Sequence, residues 1–221
     1  MIPEESSDST GTTVRGEERR RQIIEAAAEL VYEEGPAAVS HRSVAARAGC
    51  SLSATTYYFS GLDDLLHQAG RLNISRWASR AERVAEKVES VAGPFSRDEA
   101  VELILEATLP RNVSLYGHYT SLIHAGTSES ISRAYRTGRS RLNNAVGRVL
   151  EHLRVRVPAE LVIGVVDGAA VSALSEGRDV RDTAWTLLSE LAYWSTVRGT
   201  ESLDSDHTSD PVGADEVDKA R

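Results

Sequence analysis

One cysteine, one methionine, two phenylalanines and a 5% share of aromatic residues are all that this chain of 221 residues carries of those types. With Cys50 alone, neither an internal disulfide framework nor a metal site of several thiolates can form. Cys50 reads as a small buried apolar residue, with a redox-responsive thiol as the remote alternative. No apolar run reaches the ~18 residues of a membrane-spanning helix, and the N-terminal residues lack the charged-then-apolar order of a secretory leader. The expected location is the cytoplasm, without membrane contact. Also missing are His-Glu-x-x-His, a glycine-rich phosphate loop and Gly-x-Ser-x-Gly, while His118 and His124 stand too far out of phase to share one helix face. No enzyme, cofactor or metal site is therefore expected, and a small all-helical enzyme remains only a remote alternative.

An excess of positive charge is lacking too. The net charge is −8, which looks wrong for a protein that must neutralise phosphates. Its distribution removes the objection. Glu4, Glu5 and Asp8 have no basic partner within residues 1–14, and residues 201–221 set seven acids against Lys219 and Arg221. The body between is neutral, with Arg15, Arg19, Arg20 and Arg21 clustered at its front and Arg42 and Arg47 further on. Both polar tails, 1–14 and 201–221, hold too little apolar surface to offset the entropy of ordering, so disorder is expected there.

What is present is organised around residues 40–59, Ser-His-Arg-Ser-Val-Ala-Ala-Arg-Ala-Gly-Cys-Ser-Leu-Ser-Ala-Thr-Thr-Tyr-Tyr-Phe. Ser40 can cap a short helix with Val44, Ala45 and Ala48 on its apolar side, and Gly49 can end it in the left-handed region. Ser51 can cap a second helix, with Leu52, Ser53, Thr55, Thr56 and Tyr57 outward and Ala54, Tyr58 and Phe59 inward. Two short helices and a tight turn make a helix-turn-helix. Ahead of it, Arg19 to Glu34 spaces Ile23, Ile24, Ala27, Leu30 and Val31 along one helical face.

From about Arg19 to Leu66 this ordered set resembles the N-terminal domain of the TetR family of bacterial transcriptional repressors. The resemblance is carried by the opening amphipathic helix, the Glu-Gly-Pro turn at Glu34 to Pro36, the Val-Ala-Ala-Arg-Ala-Gly run, the Tyr-Tyr-Phe end, and the acidic-plus-leucine segment Asp63 to Leu66. Many members of the family carry Tyr where Thr56 stands and a phosphate-gripping Lys near Leu62. Here Thr56, Tyr57 and the N-terminal arginines are left to anchor the backbone. The resemblance implies an all-α fold, with an N-terminal three-helix DNA-binding domain at 15–60 and a C-terminal six-helix ligand-binding and dimerisation domain at 61–200. It also implies a homodimeric repressor, bound to a palindromic operator on double-stranded DNA and released by a small-molecule effector. A DNA-binding protein or activator without small-molecule control is the alternative.

Helical periodicity fills the remainder, with no strand pattern or repeat. Ser60 with Asp63 looks like a capping box opening a long helix over 61–91, and Gly93-Pro94 breaks it. Ser96 with Glu99 opens another to Leu109, where Pro110 stops it, and further helices are predicted over 112–126 and 128–154. Pro158 suits the first turn of a helix over 158–176, which is apolar nearly all round and ends at Gly177. Asp179 then caps a last helix over 179–197 bearing Trp185, Leu187, Leu188, Leu191, Tyr193 and Trp194. Two such helices call for burial, either within their own domain or against the same pair of a second copy; the family resemblance implies the second.

The candidate base-edge residues are Leu52, Ser53 and Thr55, and the candidate phosphate contacts are Arg42, Ser43, Thr56, Tyr57 and Tyr58. Tyr58 reads equally as a core anchor, and Arg42 as a solvated cation. Polar or aromatic residues expected on inward faces of the larger domain are the effector candidates: Asn73, Trp77, Tyr116, His118, Tyr119, His124, Tyr135 and Asp167. Asp167 stands out, since a carboxylate between Val166 and Gly168 must be paired, neutralised or turned to water. It can also face the dimer seam. The arginines of 133–156 point several ways round their helix and read as a solvated face.

Overall fold

The computed structural model describes residues 9–111 and 114–201, with side chains from Val14 to Leu191 apart from 112 and 113. Among the described residues there are nine α-helices and no strand: α1 Ser9–Glu34, α2 His41–Arg47, α3 Leu52–Tyr58, α4 Leu62–Glu89, α5 Arg97–Thr108, α6 Leu115–His124, α7 Glu129–His152, α8 Ala159–Glu176 and α9 Val180–Glu201. The fold is all-α, three helices in front and six behind. Residues 1–8 and 202–221, most of the two stretches expected to be disordered, lie outside the described residues, as do the side chains of Tyr193 and Trp194. Residues 9–14, expected to be unstructured, are helical instead. Once the docked part of α1 has paid the cost of nucleation, each further residue needs only one hydrogen bond to join.

Most boundaries follow from local chemistry. The Ser40 hydroxyl accepts from the Ser43 amide at 3.0 Å and Ser43 returns the bond, so a Ser–Ser capping box starts α2. Gly49, with φ of 61°, turns the chain toward α3, where Ser51 accepts from the Ala54 amide at 3.3 Å. Ser96 and Glu99 form the predicted capping box of α5, Gly177 ends α8 at φ 68°, and Asp179 accepts from the Asp182 amide at 2.8 Å. At the start of α4 the cap is displaced by one residue. Gly61 is the N-cap, and Asp64 rather than Asp63 accepts from the Ser60 amide at 3.2 Å. Asp63 is left to accept from the Ser130 hydroxyl at 3.1 Å, tying α4 to α7. Leu62 is 39% exposed because it sits in the first turn of α4, before the helix's apolar face reaches its neighbours.

Two apolar cores hold the chain. One gathers Ile23, Ala27, Leu30 and Val31 of α1 with Val44, Phe59, Leu65, Leu66 and Ala69, closed from behind by Ala125 and Ile131. The other begins at Ile74 and takes in α5, the inner faces of α7 and α8, and Ala184 and Leu188 of α9. Helix α4 serves the first core up to Ala69 and the second from Ile74 onward. Its 28 residues span about 42 Å. Where the cores meet, α4 and α7 cross at close range. A Cβ on Gly70 would stand 3.0 Å from the Ala134 Cβ, and one on Gly138 would stand 2.5 Å from the Ile74 Cγ2.

Beyond the crossing, Arg141 forks onto Glu82 at 2.5 and 2.6 Å and Arg148 onto Glu89 at 2.6 and 2.9 Å, clipping α7 to α4. Both pairs lie at the solvent-facing surface, where water and salt screen them, so they orient the helices more than they stabilise them.

Candidate DNA-reading and effector sites

The outer face of α3 carries Leu52, Ser53, Thr56 and Tyr57, all exposed, with Leu52 at 54% and Tyr57 at 82%. Thr55, placed with them from the sequence, is fully buried and donates its hydroxyl to the Leu52 carbonyl at 2.8 Å. The inward residues are 55, 58 and 59, the i, i+3, i+4 set of one helical face. Tyr58 is half-buried and meets Tyr57 edge-on at 5.0 Å. On α2, Arg42 is exposed, whereas the Ser43 hydroxyl is occupied by the cap and by the Ala38 carbonyl at 2.9 Å. A concavity beside Tyr58 is lined by Arg15, Gly16, Arg19 and Gln22 of α1, which brings two of the front arginines to the edge of the reading face.

The effector candidates separate into two groups. Trp77, His118, Tyr119 and Tyr135 converge: the Trp77 ring lies 4.9 Å from that of His118 and 5.1 Å from that of Tyr135, and His118 lies 5.0 Å from Tyr119. Asp167 of α8 approaches the hydroxyl of Tyr119: burial and then the neighbouring carboxylate raise the Tyr119 pKa, while burial raises that of Asp167 against the lowering effects of Arg139 and of the Tyr119 hydroxyl. Tyr116, at 69% exposure, and the exposed His124 stand outside this group, because α6 turns them to solvent. Asn73 is buried but its amide donates to the Ala28 carbonyl at 3.3 Å, so it ties α4 to α1.

Two members were not legible beforehand. Arg80 lies on α4 one turn beyond Trp77, donates to the Thr108 carbonyl at 3.0 Å and leaves its Nε buried without a partner. Tyr32 of α1 approaches His118 at 6.2 Å. The spacing 73, 77, 80 on one helix face was the available signal. The cluster is short of hydrogen bonds: among the described residues the His118 Nδ1 and the hydroxyls of Tyr119 and Tyr135 are also buried and unpartnered. Burial, assisted by the Arg80 charge, lowers the His118 pKa to about 4, and burial pushes Tyr135 up to about 12. The imidazole and both phenols are thus neutral near pH 7.

Helix α6 joins this cluster to the reading head. One turn beyond His118, the buried Ser121 hydroxyl donates to the Val31 carbonyl at 3.1 Å in the last turn of α1. The Tyr32 hydroxyl donates to the Ser114 carbonyl at 3.1 Å, and His124 packs against the left-handed Gly35, where a Cβ would stand 3.1 Å from its Nδ1.

A three-helix head of this kind on a helical body defines a helix-turn-helix transcription regulator, and the comparisons with known proteins name the kind. Residues 23–69 match the model of bacterial regulatory proteins, tetR family. The chain is 33% identical over 92 residues to the HTH-type transcriptional regulator PksA of Bacillus subtilis (strain 168), covering 41% of this chain and 42% of PksA, under half of that protein's length. It is 28% identical over 171 residues to the HTH-type transcriptional regulator BetI of Brucella abortus (strain 2308), 75% of this chain and 84% of that one. Among solved structures, a TetR-family transcriptional regulator from Mesorhizobium loti MAFF303099 superposes with a TM-score of 0.62 at 16% identity, over 83% of this chain and 98% of that one. The multidrug binding protein EbrR complexed with proflavin superposes at 0.55 with 26% identity, over 78% and 99%. The head at residues 23–69 is thus similar to that of tetR-family bacterial regulatory proteins, and the helical body behind it is similar in fold to solved members of that family. No helix among the described residues is long and apolar enough to cross a membrane.

Proposed function

We propose that the chain binds a palindromic operator as a homodimer, represses transcription there, and leaves the DNA when a small molecule enters the cluster around Trp77, His118 and Tyr119. The observation that carries this reading is the direct attachment of an unsatisfied buried polar cluster to the DNA-reading head. Trp77 and Arg80 belong to α4, whose first two turns lie in the head's own core. His118 and Tyr119 belong to α6, which grips the end of α1 through Ser121.

Leu52 and Ser53 meet base edges, and Thr56, Tyr57, Arg42 and the α1 arginines at Arg15 and Arg19 meet phosphates. Tyr58 steadies Tyr57 from below. The second copy packs through α8 and α9, where Leu161, Val171 and Leu187 are exposed and a Cβ on Gly164 or Gly168 would meet open space. Twofold symmetry then sets the two α3 helices into successive major grooves, roughly 34 Å apart.

A ligand seated among α4, α6 and α7 favours a spacing of those helices different from the DNA-bound one, and α4 and α6 transmit the change to the head as a population shift. A hundredfold loss of operator affinity requires the ligand to prefer the released form by ~2.7 kcal/mol. That EbrR, a protein of similar fold, forms a complex with proflavin supports a small-molecule effector here.

Selection from a random-sequence DNA pool tests the reading. The expected product is an inverted repeat whose half-sites lie about one helical turn apart. Recovery of no consensus, or of a single half-site bound by one protomer, would sink it.

A further inference from the structure

We infer that the effector is a small organic acid with an aromatic or apolar body, its carboxylate seated on the guanidinium of Arg80. The inference rests on the reading of the cluster as the effector site. It starts from a contrast among the arginines. The exposed Arg141 and Arg148 each hold a glutamate in a two-pronged pair, and Arg47 is ringed by Glu29, Glu33 and Glu34. Arg80, the arginine taken deepest toward the cluster, has as its one hydrogen bond among the described residues a neutral backbone carbonyl, and its Nε is shielded from water with nothing to donate to.

A buried cation without a counter-ion is costly, and the protein keeps it where a ligand anion can supply the missing charge. Guanidinium is suited to the task, since its planar fork matches both oxygens of a carboxylate. The groups beside Arg80 agree. The Tyr135 hydroxyl is buried and unpartnered, so it has a proton to donate to an oxygen, and the buried Tyr119 hydroxyl, shared with the approach of Asp167, stands beside it. The neutral His118 adds no competing charge. Asp167, the acid that approaches Tyr119 from α8, already feels the positive charge of Arg139, so it does not satisfy Arg80. The Trp77 ring, edge-on to His118 at 4.9 Å and tilted to Tyr135 at 5.1 Å, offers with them an apolar wall for the rest of the molecule.

The test uses the full chain and matched pairs of probes: benzoate, 2-naphthoate and decanoate, each against its neutral primary amide, with ethidium and choline as cations. Binding is read by calorimetry, and release by loss of anisotropy on the selected operator. At least one acid is expected to bind about tenfold or more tighter than its amide, the discrimination typical of one charged hydrogen-bonded pair, and to release the operator. Arg80→Gln is expected to abolish that preference and Arg80→Lys to retain part of it. Since the substitution to Gln removes an unpaired buried charge, the ligand-free Gln variant is expected to melt at the same temperature or higher, which guards against misfolding as the cause. If every amide matches its acid, or ethidium or choline binds and releases DNA while the acids do not, the acid assignment is overturned and the effector-site reading stands. If Arg80→Gln melts well below the parent, the charge was already paired, and the inference fails on that ground. If an operator is bound but no probe of any charge releases it, both the acid assignment and the effector-site reading fall.

Discussion

At the scale of single residues, His118 carries the clearest consequence. Its imidazole is 5% exposed with Nδ1 unpartnered, and burial followed by the charge of Arg80 brings its pKa from 6.5 to about 4. Above pH 6.5 neither the folded nor the unfolded chain holds a proton there, and stability is full. Below that value the unfolded chain takes up a proton that the folded one refuses, so stability falls until about pH 4. The loss over this window is on the order of 3 kcal/mol. Urea unfolding between pH 7.5 and 4.5 should show it as a falling midpoint, and His118→Phe should flatten the fall; equal pH slopes in the two proteins would count against the burial argument. Residue identities were only partly readable from the sequence. Asp167 was recognisable because its neighbours are all apolar. Arg80 was not, because it stands among Arg71, Arg76 and Arg83 on a helix whose arginines look alike until packing separates them. Thr55 misled for the opposite reason: a hydroxyl that bonds its own helix's Leu52 carbonyl is cheap to bury, so its polarity does not report its face.

At the scale of elements, the crossing of α4 and α7 is the joint on which both cores hang. The 2.5 Å approach of a Cβ on Gly138 to the Ile74 Cγ2 leaves no room for a methyl group, and Ile is stiff at χ1. Gly138→Ala should therefore lower stability by about 1–2 kcal/mol, overpacking outweighing the gain in helix propensity. Gly147→Ala, on the same helix with open space around its Cβ, should instead be neutral or stabilising by up to ~1 kcal/mol. Paired thermal melts decide; a stable Gly138→Ala would mean the crossing is loose. Helix existence and order were legible from periodicity and caps, down to the Ser96–Glu99 box and the Gly177 stop. The close crossing was not. A glycine inside a helical pattern looks like a weakness until the partner helix is seen against it. The role of α6 was hidden likewise, since Ser121 meets Val31 across ninety positions of sequence.

At the scale of the whole molecule, one helix, α4, is shared between two cores, and this is the route by which the proposed binding event in the body would reach the head. The TetR-like head was visible in the ordered motifs of the first quarter of the chain, and the two-part, all-helical plan in those motifs and the helical periodicity behind them. How α6 and α4 route the body into the head was not, because that depends on contacts between distant segments. The exposed apolar residues of α8 and α9 leave the proposed dimer to experiment. The most direct measurement is fluorescence anisotropy of the protein on its selected palindrome, with excess nonspecific competitor, over a salt series and at stoichiometric concentrations. The account expects competitor-resistant binding that saturates at two protomers per palindrome, with affinity falling steeply as salt rises. Tyr57→Ala should weaken it by about tenfold or more, while a change at exposed Tyr116 should leave it intact. Saturation at one protomer, indifference to Tyr57→Ala, or binding no tighter than about 10⁻⁴ to 10⁻⁶ M, the range of nonspecific contact, would contradict it.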